Sequence, residues 1–336
     1  MTQLPLFGSD EPTGEAEPSP ADASTPPLLA RTQALADALP HLVHFGTMSW
    51  AFPGWAGLVY PHDRAKTRLA HLGLGDYVRC PVLRTVEIDR SFYAPIPDAD
   101  LERYAAQLPR GYRCVIKAPQ SVTGAAVFDP GMGSWRVNPD YLSIERLELD
   151  LLDGLAARFA GHCGPIVLEF PRMPRELRVE PTAFFGALET FAARLPRGFE
   201  YAVEIRDRRF LQPAYAALLE RHQLAHAFTY WGDMPSIADQ ADVVSPARVP
   251  FVLCRLLLRP GTRYGERRDE FAPFDRIVAP DERMRAEVTD LVAEAMTRGR
   301  RVWVLANNKA EGSAPLTLLE IAKRVVRALA NPQAPR

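Results

Sequence analysis

Apolar stretches that end in a polar or charged side chain recur along this chain, and they restrict its fold more than any other feature. The first lies within Arg84-Thr85-Val86-Glu87-Ile88-Asp89-Arg90-Ser91-Phe92-Tyr93. Side chains alternate faces along a strand, so Thr85, Glu87 and Asp89 share one face and Val86 and Ile88 the other. The same ending returns at Val115-Ile116-Lys117, Val167-Leu168-Glu169, Val203-Glu204-Ile205-Arg206, Leu253-Cys254-Arg255 and Leu305-Ala306-Asn307. A parallel barrel with a site at one mouth requires strands of this kind.

The spacing between these stretches supports that reading. Strands are expected near residues 43–47, 83–88, 112–117, 164–169, 200–205, 225–229, 251–256 and 301–306, and helices at about 64–79, 98–108, 143–159, 181–194, 212–222, 281–298 and 315–330. The count fits one TIM-type (β/α)8 barrel of parallel strands, a single domain over residues 41–330. A doubly wound open sheet competes, but no glycine-rich phosphate turn follows the first strand. The weakest link is 230–250, where Ser236 to Val244 offers at most a short helix. Long connections at 48–63, 118–142, 230–250 and 257–280 would all crowd over one mouth and wall a pocket there. Residues 1 to about 40, rich in Pro, Ala, Ser and acids, are expected to form a disordered tail.

With 40 basic and 41 acidic residues the net charge is -1, so no global field draws the chain to nucleic acid or anionic lipid. Only Lys66, Lys117, Lys309 and Lys323 are lysine, which makes a lysine at a strand end conspicuous. The cysteines Cys80, Cys114, Cys163 and Cys254 form no C-x-x-C pair, and no apolar run is long enough to cross a bilayer. A cytoplasmic protein is expected, without a membrane partner.

Further motifs resemble those of the YecE-like proteins, the DUF72 family, from about Phe45 to Val325. They are Gly46-Thr47-Met48-Ser49-Trp50 with Pro53-Gly54-Trp55 and Tyr60-Pro61; Val86-Glu87-Ile88 with Ser91-Phe92-Tyr93; and Cys114-Val115-Ile116-Lys117-Ala118-Pro119. Gly164 to Pro171, Val203-Glu204-Ile205-Arg206, and Asn307-Asn308 with Gly312-Ser313-Ala314-Pro315 complete the set. The resemblance implies a TIM-type barrel and no established activity. It also marks departures: Asp89 and Glu169 stand where the family usually has Asn and Gln, and Leu253 to Leu258 replaces a Tyr-x-Arg-x-x-Gly pattern. A mouth built this way is more acidic than is usual.

Glu87 and Glu204 end separate strands, and paired carboxylates divide acid and base work when their environments separate their pKa values. Lys117 must be paired to sit at the end of an apolar strand, and Glu87 or Glu204 is the expected partner. A reactive lysine and a structural ion pair both fit. Glu87, Lys117 and Glu204 are therefore the expected catalytic groups of an enzyme acting on a small polar or anionic ligand. Ser49, Trp50, Asp89, Tyr93, Glu169, Arg206, Trp231, Arg255, Asn307 and Asn308 are the expected ligand contacts, with the arginines as bidentate clamps and the amides leading into a helix N-terminus that suits phosphate. No histidine follows these strand ends, so no zinc site and no cofactor are predicted; a magnesium or manganese ion on Glu87, Asp89, Glu169 and Glu204 is the alternative.

A reading of another class comes from the tail. Gln3-Leu4-Pro5-Leu6-Phe7 resembles the Q-L-x-L-F peptide by which bacterial DNA-processing proteins dock on the replication sliding clamp, with Leu4, Leu6 and Phe7 in apolar pockets and Gln3 on a polar one. The barrel would then bind or cut nucleic acid, with Arg259, Arg263, Arg267 and Arg268 on the phosphate backbone. The third alternative is a binding module without chemistry.

Overall fold

The computed structural model describes residues 26–62 and 64–331. Its frame is eight strands: β1 (Val43–Thr47), β2 (Leu83–Ile88), β3 (Cys114–Lys117), β4 (Cys163–Phe170), β5 (Tyr201–Ile205), β6 (Ala225–Tyr230), β7 (Val252–Leu256) and β8 (Val302–Ala306). All pair in parallel with their sequence neighbours, and β1 pairs with β8 to close the barrel. Each expected strand is present, as is the short helix at the weakest link, Ile237–Val243. Its Ser236 side chain accepts from the Asp239 amide while the Asp239 side chain accepts from the Ser236 amide, so the two satisfy each other's donors.

Alternation along the strands sorts the side chains into two cores. One set packs between barrel and helices, among them Val86, Ile116, Leu168, Val203, Cys254 and Val304. The other fills the lumen with Val115, Val167, Ala202, Ala227, Leu253 and Leu305, all of them buried. Continuing each lumen row by one step of two residues reaches Lys117, Glu169, Glu204, Thr229, Arg255 and Asn307. The lumen is thus apolar below and ionic at its C-terminal mouth, where barrels of this kind hold their sites.

The amino-terminal expectation needs correction. Residues 26–40 are not wholly disordered: Leu28–Arg31 and Gln33–Ala38 form short helical turns, and Leu29 is completely buried with its amide donating to Leu58 O. Apolar Leu28 and Leu29 supply burial that the Pro-rich composition average conceals. The peptide Gln3, Leu4, Leu6 and Phe7 lies outside the described residues. Among the described residues, no helix is long and apolar enough to cross a membrane.

Gly46 lies beside Thr85 of β2, and a Cβ there would lie 2.1 Å from Thr85 O. Gly46→Ala should therefore cost about 1–3 kcal/mol through overpacking. Gly186, exposed within the helix Pro181–Ala192, has nothing near its Cβ position, so Gly186→Ala should stabilise by about 0.5–1 kcal/mol. Urea unfolding of both variants checks the pair of opposite signs.

Candidate functional site

Arg255, near the end of β7, projects into the lumen and is 2% exposed. A guanidinium in that position must find acids, and it finds three from three other strands. Its Nη2 lies 2.5 Å from Glu87 Oε1 of β2. Its Nη1 lies 3.3 Å from Glu169 Oε2 of β4 and also pairs with Glu204 Oε2 of β5. A second tier of cations closes over these acids. Lys117 Nζ is 2.9 Å from Glu169 Oε2, while Arg206 places Nη2 2.7 Å from Glu169 Oε2 and Nε 2.6 Å from Glu204 Oε1. Aromatic faces complete the cages: Lys117 Nζ sits 3.5 Å from the centre of the Phe92 ring, and Arg206 Cζ 4.3 Å from that of Trp231.

These contacts separate the carboxyl groups. Burial pushes the Glu87 carboxyl up to about 7; Arg255 and Lys117 pull it back, and Asp89 and Glu204 add to the rise. Burial also pushes Glu169 up, but Arg206, Lys117 and Arg255 together outweigh it and hold that carboxyl well below the usual range. Asp89 is raised by burial against the pull of Lys117 and Arg255. Arg255 is held above its ordinary value: burial lowers it, and Glu204, Glu87 and Glu169 more than reverse that. Two acids of one cluster so differ in proton affinity, and Glu87 is the one poised near neutrality.

Above the cluster lies a cavity of about 390 Å³. Of the expected residues, Glu87, Asp89, Tyr93 and Lys117 line it, as do Ser49, Arg206, Trp231, Arg255 and Asn307. The remaining expected contacts are placed elsewhere. Trp50 is buried, donating from Nε1 to Leu69 O at 3.0 Å and standing edge-on to Tyr104, so its ring serves packing. Glu204 and Glu169 lie beneath the cavity floor, locked to arginines, rather than in its lining. Asn308 does not line the cavity: its Oδ1 accepts from Trp55 Nε1 and from the Ala314 amide, capping the helix Ala314–Ala330 that was expected to face a phosphate. The partner of Lys117 is Glu169 rather than Glu87 or Glu204, because register sets Lys117 beside Val167 and leaves Glu169 one lumen step beyond it.

The long connections expected to wall the pocket contribute to it unequally. Segment 48–63 supplies Met48, Phe52 and Gly54, and segment 257–280 supplies Leu257, Arg268, Pro273 and Phe274. The two meet so closely that a Cβ on Gly54 would lie 1.7 Å from Pro273 O. Segment 118–142 contributes nothing to the lining; it forms a hairpin, Ala126–Asp129 with Ser134–Val137. Lys66, at the start of the first outer helix, is also in the lining, and no sequence signal pointed to it. The four arginines expected on a phosphate backbone each face an acid: Arg259 with Asp281, Arg263 with Glu266, Arg267 with Glu270 and Arg268 with Asp269.

Of the carboxylates proposed as divalent-cation ligands, Glu87, Glu169 and Glu204 are engaged by Arg255, Arg206 and Lys117, and the described residues contain no group of three or more His, Cys, Asp or Glu arranged to hold a metal. A dication among Glu87, Glu169 and Glu204 would have to displace a guanidinium.

Fold and mouth together define a TIM-type barrel protein with an ionic pocket at the C-terminal ends of its strands. The family described as "Protein of unknown function DUF72" matches residues 44–336, and the chain belongs to it. Among solved structures, a DUF72 family protein from Thermotoga maritima is 19% identical, with a TM-score of 0.56, over 84% of this chain and 98% of that one. A DUF72 family protein from Enterococcus faecalis is 16% identical, with a TM-score of 0.58, over 84% of this chain and 95% of that one. No curated protein matches the chain.

Removing Arg255 while its acids stay would leave buried charge uncompensated. Arg255→Met should lose about 3–5 kcal/mol of stability, measured by urea unfolding at pH 8. A loss below about 1 kcal/mol would show that the acids are not gathered on this guanidinium.

Proposed function

We propose that this barrel is an enzyme that carries out acid/base chemistry on a small polar or anionic ligand, with Glu87 as the proton carrier. One observation carries the reading. Arg255 fixes Glu87 Oε1, whereas Glu87 Oε2 is buried at the cavity wall and has no hydrogen-bond partner among the described residues. A buried oxygen without a partner is costly unless something is meant to meet it. A ligand proton does so, and a carboxyl near pH 7 takes it up and returns it with little bias.

The other groups then have separate roles. Lys117, in the cavity wall and held by Glu169, and Arg206, resting on Trp231, present positive charge where negative charge develops on the ligand as Glu87 removes a proton. Glu204, without access to the cavity, is a positioning residue that holds Arg255 and Arg206 together. This arrangement also argues for an enzyme over a binding module: a ligand pocket needs fixed donors, but not a carboxyl tuned to neutrality beside one held ionised.

Turnover of a panel of small organic phosphates and carboxylates by the full chain tests the reading. The rate should rise as pH passes about 7, where Glu87 loses its proton and becomes a base, and then level off. Glu87→Gln, assayed at a temperature where the variant is fully folded, should lower it about 10²–10⁴-fold and remove the pH dependence. Turnover untouched by Glu87→Gln would end the proposal.

A further inference from the structure

The lining of the cavity is divided in a way that specifies its occupant further. Six basic residues line it, Lys66, Lys117, Arg206, Arg255, Arg268 and Lys309, against two acids, Glu87 and Asp89. Counting Glu169 and Glu204, which pair with the floor cations, and Asp269 beside Arg268 still leaves six cations to five acids. A cationic ligand would therefore meet net repulsion, and an anion net attraction. The uncharged polar lining is sparse, with Ser49, Tyr93 and Asn307 as its side-chain hydroxyls and amide. A neutral polyol such as a sugar needs many such partners and would leave most of its hydroxyls unmatched.

The rest of the lining is apolar and in part aromatic. Phe52 and Phe274, from the two loops that meet at Gly54 and Pro273, stand edge to face with ring centres 5.8 Å apart. Met48, Leu257 and Trp231 continue the same apolar lining. Inorganic phosphate would leave these surfaces wet, and a cavity of about 390 Å³ is the size of a small organic molecule rather than a polymer strand.

We infer that the mouth takes an organic anion with a flat apolar body, its phosphate or carboxylate on the basic groups and its body against Phe52 and Phe274. The inference rests on the reading of the mouth as a ligand site and adds the class of ligand. The anionic group and the apolar body act together: charge draws the ligand into a partly desolvated site, and the rings cover what the charge does not.

Calorimetric titration of the full chain with phenyl phosphate, benzoate, inorganic phosphate, benzyl alcohol and benzylamine tests it. Phenyl phosphate or benzoate should bind at least about tenfold more tightly than the other three, and whichever of the two binds better identifies the anionic group. Phe274→Ala, or Phe52→Ala where the first does not fold, should weaken that binding about tenfold when titrated at a temperature where the unliganded variant is fully folded. Equal binding of inorganic phosphate overturns the inference, because the rings would then contribute nothing. Equal or tighter binding of benzyl alcohol or benzylamine overturns it on the side of charge, and so does binding of none of the five. Glu87→Gln separates this inference from the proton-transfer reading: it should keep the anion preference, and an anion preference with no Glu87-dependent turnover supports the inference while counting against proton transfer.

Discussion

Arg255 and the three glutamates around it are the contact on which the rest of the mouth depends. Bringing a guanidinium and several carboxylates out of water is unfavourable for each alone, and only their mutual pairing makes the arrangement stable. Glu87, Glu169 and Glu204 come from β2, β4 and β5, so the pairing fixes strands far apart in sequence as well as charges. Lys117 and Arg206 then have ready acids, and their own approach keeps Glu169 ionised.

The acids do not share these cations evenly. Among the described residues Glu169 pairs with all three of them, whereas Glu87 pairs with Arg255 alone, and through one oxygen. Burial therefore dominates at Glu87 and charge at Glu169, which sets their proton affinities apart within one cluster. Glu169 thus balances the cations of the floor while the lining above it holds more bases than acids.

Much of this was legible in the sequence. Period-2 alternation set Glu87 on one face with Thr85 and Asp89, because strand geometry fixes which face each side chain takes, and Lys117, Glu169, Glu204 and Arg255 were marked as polar endings of apolar strands. The polar endings identified the mouth for the same reason. The pairings were not legible: whether Lys117 meets Glu87 or Glu169 depends on stagger between β3 and β4, which no local pattern encodes. Trp50 and Asn308 were misplaced because a strand-end position states only that a residue is near the mouth. Whether its ring or amide turns inward or toward a neighbouring loop is decided by distant partners, Leu69 and Tyr104 in one case and Trp55 in the other. Lys66 and Phe274 enter the cavity from loops and helix starts, where periodicity carries no signal.

The most direct test is a carbon-13 titration of the Glu87 side-chain carboxyl, assigned through Glu87→Gln, in the unaltered protein and in Arg255→Met. The account predicts a midpoint near pH 7 in the former and a higher one in the latter, since Arg255 lowers the proton affinity of Glu87. A midpoint near 4.5 that does not move when Arg255 is removed would contradict it.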